Sequence, residues 1–229
     1  MWQNCPLGLD GTPMIITAVE PAQKRRGRVQ VYVDGVVAFD VARAVAVARR
    51  LRRGAGIDPA EIEAIVAADR RRAALEAAAA MLARRPRSER EVRRRLALRK
   101  FETALVEETV ARLRELKLLD DAEFARTWTE SRDRSSPRGQ RLIVQELRAA
   151  GVAAPTAVAA ASAVSDEDAA YRVAGKKARA LASCDYRSFR DKLGSHLQRR
   201  GFGWETARAT VERCWQELGR EDSTEDGFE

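Results

Sequence analysis

The chain has 229 residues, 33% of them charged and 45% hydrophobic, with a formal net charge of +8. That apolar content excludes a disordered chain, and a share rich in Ala, Leu and Val but poor in aromatics favours helix over sheet. No apolar stretch reaches the roughly 18 residues of a spanning helix. Cys5, Cys184 and Cys214 lack a C-x-x-C pair and fit neither a disulfide framework nor a zinc site, so a soluble protein of the reducing cytoplasm is expected.

In chain order, residues 1–12 are expected to be a tail and residues 13–57 a small β ribbon with a linker. "MIITAVEP" and "RVQVYVDGVVAF" are rich in β-branched residues, and Val29, Val31 and Val33 alternate ahead of Asp34-Gly35, a dipeptide suited to a type I′ hairpin. Three strands are expected. The connecting "PAQKRRGR" places Lys24, Arg25, Arg26 and Arg28 in one exposed turn.

From Asp58 onward the signals are helical. Asp58 with Pro59 and Glu61, Ser88 with Glu91, Asp120 with Glu123, and Ser165 with Asp168 each resemble a helix start, where a short polar side chain accepts from a free backbone N–H.

Three stretches then superimpose without gaps, offset by 51 and 50 residues: "VRRRLALRKFETALVEETVARL", "IVQELRAAGVAAPTAVAAASAV" and "LGSHLQRRGFGWETARATVERC". Their apolar anchors are Val92, Ile143 and Leu193, then Leu96, Leu147 and Leu197, then Phe101, Val152 and Phe202, with Val110, Ala161, Val211 and Leu113, Val164, Cys214 behind them. Lys100, Gly151 and Gly201 stand where the helix must stop. An earlier helix precedes each stretch, carried by Leu75, Ala78, Ala79 and Leu82, by Phe124, Ala125 and Trp128, and by Tyr171, Ala174 and Ala178. The expected architecture is mainly α: tandem three-helix repeats at residues 58–119, 120–165 and 166–219, forming an elongated curved array, since one such unit buries too little alone. Residues 220–229 form an acidic tail of one Arg against five acids.

With these motifs ("RSEREVRRRLALRKF", "SPRGQRLIVQELRAAGV" and "YRSFRDKLGSHLQRRGFGWETARATVERCWQEL") the chain resembles the RecX family of bacterial recombination regulators over roughly residues 70–218. The resemblance implies a regulator that binds the RecA nucleoprotein filament on single-stranded DNA and modulates, most often restrains, strand exchange and ATP hydrolysis. It implies DNA repair and the SOS response as the setting, and weak direct DNA binding is compatible with it. A single-stranded nucleic-acid binder acting without RecA is the alternative.

The partner-binding candidates are the basic residues. Repeat one supplies Arg84, Arg85, Arg87, Arg90, Arg93, Arg94, Arg95, Arg99 and Lys100, relieved only by Glu89 and Glu91. That helix is expected to turn Val92, Leu96 and Leu98 inward and mostly to forgo i,i+4 ion pairs. Repeat two supplies Arg132, Arg134, Arg138 and Arg141, and repeat three Lys176, Lys177, Arg187, Arg190, Arg199 and Arg200. His196, the only histidine, reads as a partly exposed helix residue and Cys214 as core. Trp128, Trp204 and Trp215 read as core residues too, although Trp204 stands at a loop–helix junction where a base or partner could stack. No Walker-type loop, catalytic triad or metal-spaced cluster emerges, so a monomer that acts by binding, without cofactor or catalysis, is expected.

Overall fold

A computed structural model of the chain describes residues 14–23 and 25–219; the N-terminal tail, Cys5, Lys24 and the acidic tail lie outside the described residues. Strands β1 (Met14–Pro21), β2 (Arg28–Val33) and β3 (Val36–Ala42) are followed by helix α1 (Arg43–Ala48) and strand β4 (Gly56–Ile57). Three helix triplets follow: α2 (Pro59–Leu82), α3 (Glu89–Leu98) and α4 (Thr103–Glu115); α5 (Asp121–Ser135), α6 (Gln140–Ala150) and α7 (Ala154–Ala161); α8 (Asp166–Ala180), α9 (Tyr186–Arg199) and α10 (Trp204–Glu217). The protein is therefore mainly helical, with a small antiparallel sheet followed along the chain by tandem three-helix repeats. By its contacts the chain divides into two units: one runs up to Ala80 and takes in Phe101–Thr109, the other holds Met81–Lys100 and everything from Val110 onward.

In the first unit the sheet has the order β3-β2-β1-β4. The expectation of three strands is corrected to four among the described residues, because Gly56–Ile57 pairs with Met14 and Ile15 and covers the edge of β1. The alternation of β2 buries Val29, Val31 and Val33 against Ile16, Val41, Ile57 and Ile62. The hairpin turns at Asp34 and Gly35, whose φ values of 49° and 85° are the pair of positive angles a type I′ turn demands. The stretch read as linker contains helix α1, which buries Val45 and Ala46 and ends in a left-handed Arg50. Buried Asp69 on α2 accepts from the Ala42 amide (2.8 Å) and from Arg28 Nη2 (2.8 Å), fastening the helix to the sheet.

In the second unit the anchors Val92, Ile143, Leu193, Leu96, Leu147 and Leu197 are fully buried. Each large aliphatic side chain so placed contributes about 1.5–3 kcal/mol. The caps form as the sequence implies: Ser88 accepts from Glu91 N, Asp120 from Ala122 N and Glu123 N, and Ser165 from Asp168 N. In α2, most of which belongs to the first unit, Ala78 is buried as expected, but the other buried positions are Ala74 and Met81, one residue before the expected Leu75 and Leu82, which are half-buried, and Ala79 is exposed. Leu98 faces out, 75% exposed, rather than in, because α3 ends there and its inward stripe is complete with Leu96.

Successive repeats dock through one recurring joint. Ser88 Oγ donates to the Ala150 carbonyl (2.6 Å) and Glu89 N donates to Asp121 Oδ1 (2.8 Å), so the start of α3 is met by residues of the second repeat. One repeat further on, Gly139 N donates to the Arg200 carbonyl (2.9 Å) and Gln140 N to Asp166 Oδ1 (2.8 Å). The acidic residue opening each later repeat thus satisfies a free N–H of the preceding one. Burial raises the pKa of both Asp121 and Asp166, and the backbone donor opposes that shift only in part.

Candidate partner interface

Helix α3 presents the densest run of cations, and its two acids work harder than sequence spacing suggests. Glu91 pairs with Arg85 (2.7 Å), Arg95 (3.3 Å) and Arg87, while Glu89 pairs with Arg93 (3.0 Å) and Arg114 (2.5 Å). The expectation that this helix forgoes i,i+4 pairs is therefore corrected: three such pairs form, because each carboxylate is half-buried and reached by several Arg forks at once. Arg114 holds the Glu89 carboxyl below its ordinary pKa, with Arg93 adding to the effect. Burial pushes Glu91 up, but the charges of Arg85 and Arg87 and the hydrogen bonds from Arg95 and Arg85 outweigh it and hold that carboxyl low as well. Arg87 is only 9% exposed and also donates to the Met81 carbonyl (3.2 Å), so it serves the fold rather than the surface.

The second repeat repeats the lesson. Glu146 on α6 accepts from Trp128 Nε1 (2.9 Å) and Arg132 Nε (2.9 Å) and pairs with Arg138, tying α5 to α6. In the third repeat Arg190 pairs with Asp191 (3.0 Å), and Arg200 donates to Ser136 Oγ (3.4 Å) and the Pro137 carbonyl (3.5 Å). Eight of the nineteen candidates are thereby engaged. Arg84, Arg90, Arg94, Arg99, Lys100, Arg134, Arg141, Lys176, Lys177, Arg187 and Arg199 are exposed, and their side chains make no hydrogen bond or ion pair among the described residues.

Three of the repeat-one candidates meet around a cleft of about 330 Å³, where Arg90 and Arg94 stand with Arg85, itself paired to Glu91 in the same lining, around Phe124, Trp128 and Ala149. Trp128 is part-buried, and Arg132 lies over its ring at 4.6 Å. A cationic rim above an aromatic floor suits a carboxylate or phosphate that carries an apolar or ring-bearing neighbour. Arg90 and Arg141 occupy equivalent positions, 51 residues apart in the repeat register, and both are free and exposed.

The remaining aromatic, imidazole and thiol side chains fall into distinct settings. Trp204 opens α10 with 63% of its surface exposed, which corrects its reading as a core residue, and Arg208 one turn on lies 5.1 Å from its ring. Trp215 is buried against Tyr186 and Phe189, and Cys214 is buried, both as core residues should be. His196 is half-buried, its pKa lowered by burial and by Arg200, Arg199 and Lys177. In the first unit Arg43, Arg50 and Arg52 converge on a further cleft; the signal was in the sequence, where residues 43–53 hold five arginines and no acid. Among the described residues no cluster of His, Cys, Asp or Glu could hold a metal ion, and no helix is long and apolar enough to cross a membrane.

Comparison with known proteins agrees with this architecture repeat by repeat. Residues 74–113, 120–160 and 165–211, more than half of the chain, match the family models of the first, second and third three-helix domains of RecX. A "Regulatory protein RecX" of Levilactobacillus brevis is 38% identical over 138 residues, 60% of this chain and 52% of that one, so this match spans about half the relative's length. One of Listeria welshimeri is 28% identical over 216 residues, 93% of this chain and 80% of that one. A crystal structure of regulatory protein RecX shares 26% identity and a TM-score of 0.66 over 91% of this chain and 100% of its own. A RecX structure from Lactobacillus salivarius, at 22% identity, shares the fold, with a TM-score of 0.59 over 66% of this chain and 98% of its own. With its three repeats each matched in order, the chain belongs to the RecX family of regulatory proteins.

Proposed function

We propose that this protein is a cytoplasmic monomer that binds the RecA filament assembled on single-stranded DNA and restrains its ATP turnover and strand exchange. It acts by binding rather than by catalysis. The observation that carries the proposal is the recurrence of a free, exposed arginine at the same place in the first two repeats, Arg90 and then Arg141, with further unpaired cations in all three repeats. A surface that repeats suits a target that repeats, and membership of a family of regulatory proteins supports regulation as the outcome. The mechanism is a population shift: the protein inhibits only in so far as it prefers one filament state over another. Within the candidate set the free residues carry the contact, with Arg90, Arg94 and Arg141 foremost, and the ion-paired ones hold the repeats in shape.

The test is RecA ATP turnover on single-stranded DNA as this protein is titrated in, beside its binding to the same DNA without RecA. Turnover falls at concentrations too low to coat bare DNA, and Arg90→Glu with Arg94→Glu abolishes the effect while leaving the melting temperature unchanged. If turnover falls only where bare DNA is already saturated, and binding to that DNA drops steeply with salt, the protein is a direct nucleic-acid binder and the filament reading is wrong.

A further inference from the structure

Helix α1 and the strands beside it form a cleft of about 580 Å³ within the first unit. Val19, Val47 and Leu51 provide its aliphatic floor and lip, and Arg43, Arg50 and Arg52 stand around it. No carboxylate lines it. The fourth arginine there, Arg28, is already held by Asp40 (2.6 Å) and Asp69 (2.8 Å), whereas Arg43, Arg50 and Arg52 are exposed and make no ion pair among the described residues. Val47 is 70% exposed, an aliphatic side chain left in water at the mouth of a cationic cleft.

Arg50 adds an independent observation. Its φ is +52°, the left-handed position that closes α1: its amide donates to the Val47 carbonyl (3.0 Å), and the Leu51 amide reaches back to the Ala46 carbonyl (2.9 Å). Glycine fills such a position without strain, whereas an L side chain costs on the order of 1 kcal/mol. A guanidinium is thus held at the cleft at a backbone site where any side chain is unfavourable.

We propose that this cleft is a docking site for an acidic peptide segment that carries one large apolar side chain. The apolar side chain covers Val47 and Leu51, and flanking carboxylates take the forks of Arg43, Arg50 and Arg52. Guanidiniums bind carboxylates in paired, planar geometry, and an apolar floor ringed by arginine is the pattern of a protein-binding hot spot. Single-stranded nucleic acid fits less well, because the floor has no aromatic ring on which a base could stack. The site does not depend on the RecA reading, since it uses none of the residues assigned to that contact.

The experiment uses the full chain and a labelled short peptide in which Asp and Glu flank one Leu-Phe pair, followed by fluorescence anisotropy beside a labelled oligothymidine. The peptide is expected to bind, and replacing its Leu-Phe pair with Ala-Ala weakens it about tenfold. Arg50→Gly keeps the backbone geometry and the melting temperature but weakens peptide binding by a similar factor, and Val47→Asp, at an exposed position, abolishes it. The proposal is overturned if the peptide does not bind, if the Ala-Ala peptide binds equally well, or if Arg50→Gly and Val47→Asp bind as the parent does. It is also overturned if oligothymidine binds, loses affinity in Arg50→Gly, and displaces the peptide without regard to the Leu-Phe pair. That result would make the cleft a phosphate site.

Discussion

Lys100 and Gly201 end equivalent helices in the first and third repeats, with φ values of 63° and 89°, and yet only one of them has to be glycine. A Cβ on Gly201 would run into the Leu142 side chain and backbone of the preceding repeat, and one on Gly151 would overlap the Arg90 side chain in the same way. Lys100 is exposed, and no earlier repeat stands against it. The left-handed turn alone merely prefers glycine, at a cost of about 1 kcal/mol for another residue; a turn pressed against a neighbouring repeat requires it. Residue choice at one and the same backbone position therefore distinguishes a terminal repeat from an internal one.

The sharpest way to break this comparison is at the tightest joint. Gly139→Ala places its Cβ against the Gly201 carbonyl and 2.6 Å from the Phe202 amide nitrogen, where only backbone could yield. Gly139→Ala and Gly201→Ala should each destabilise the protein by about 3 kcal/mol or more in denaturant titration. Gly151→Ala meets a side chain instead, including the Arg90 Cβ that rotation cannot move, and should cost somewhat less, about 2 kcal/mol. An unchanged denaturation midpoint in all three would mean that the repeats do not dock as described.

Charge removal ranks next. Glu91→Gln strips Arg87, nearly buried, of its partner and loosens Arg85 and Arg95, for a loss of about 1–2 kcal/mol. Because Glu89 and Glu91 have folded pKa values below their unfolded ones, their contribution is present above about pH 4.3 and is lost as pH falls through the depressed folded values. Asp121 and Asp166 act in the opposite sense. Their raised folded values give stability that is complete below about pH 3.9 and is lost as pH rises through the folded pKa. Asp121→Asn keeps an acceptor for Glu89 N while removing a half-buried charge, so it should steepen the acid loss seen in melting temperature against pH. The smallest effect is a gain: Lys100→Gly should stabilise by up to about 1 kcal/mol, and the same change at an internal turn is already made by the native glycine.

The sequence by itself determined the helices, their caps and the repeat register. Those signals are local: Ser88, Asp120 and Ser165 act on amides two or three residues away, and Val92, Ile143 and Leu193 share one 3.6-residue periodicity with their neighbours. The hairpin was equally legible, since Asp34-Gly35 carries its own backbone preference. Helix α1 and strand β4 were not. Six residues of "RAVAVA" are too short for a periodicity to declare itself, and Gly56–Ile57 is a strand only because Met14 and Ile15 lie beside it. Only the tertiary structure decided which arginines are free. Glu89 is claimed by Arg114, 25 residues away, and Glu146 gathers Trp128, Arg132 and Arg138 from 18, 14 and 8 positions back. The same side chain is a solvated cation or a structural strut according to whether a half-buried carboxylate is within reach, and that distance is set by how helices pack, not by where residues stand in the chain.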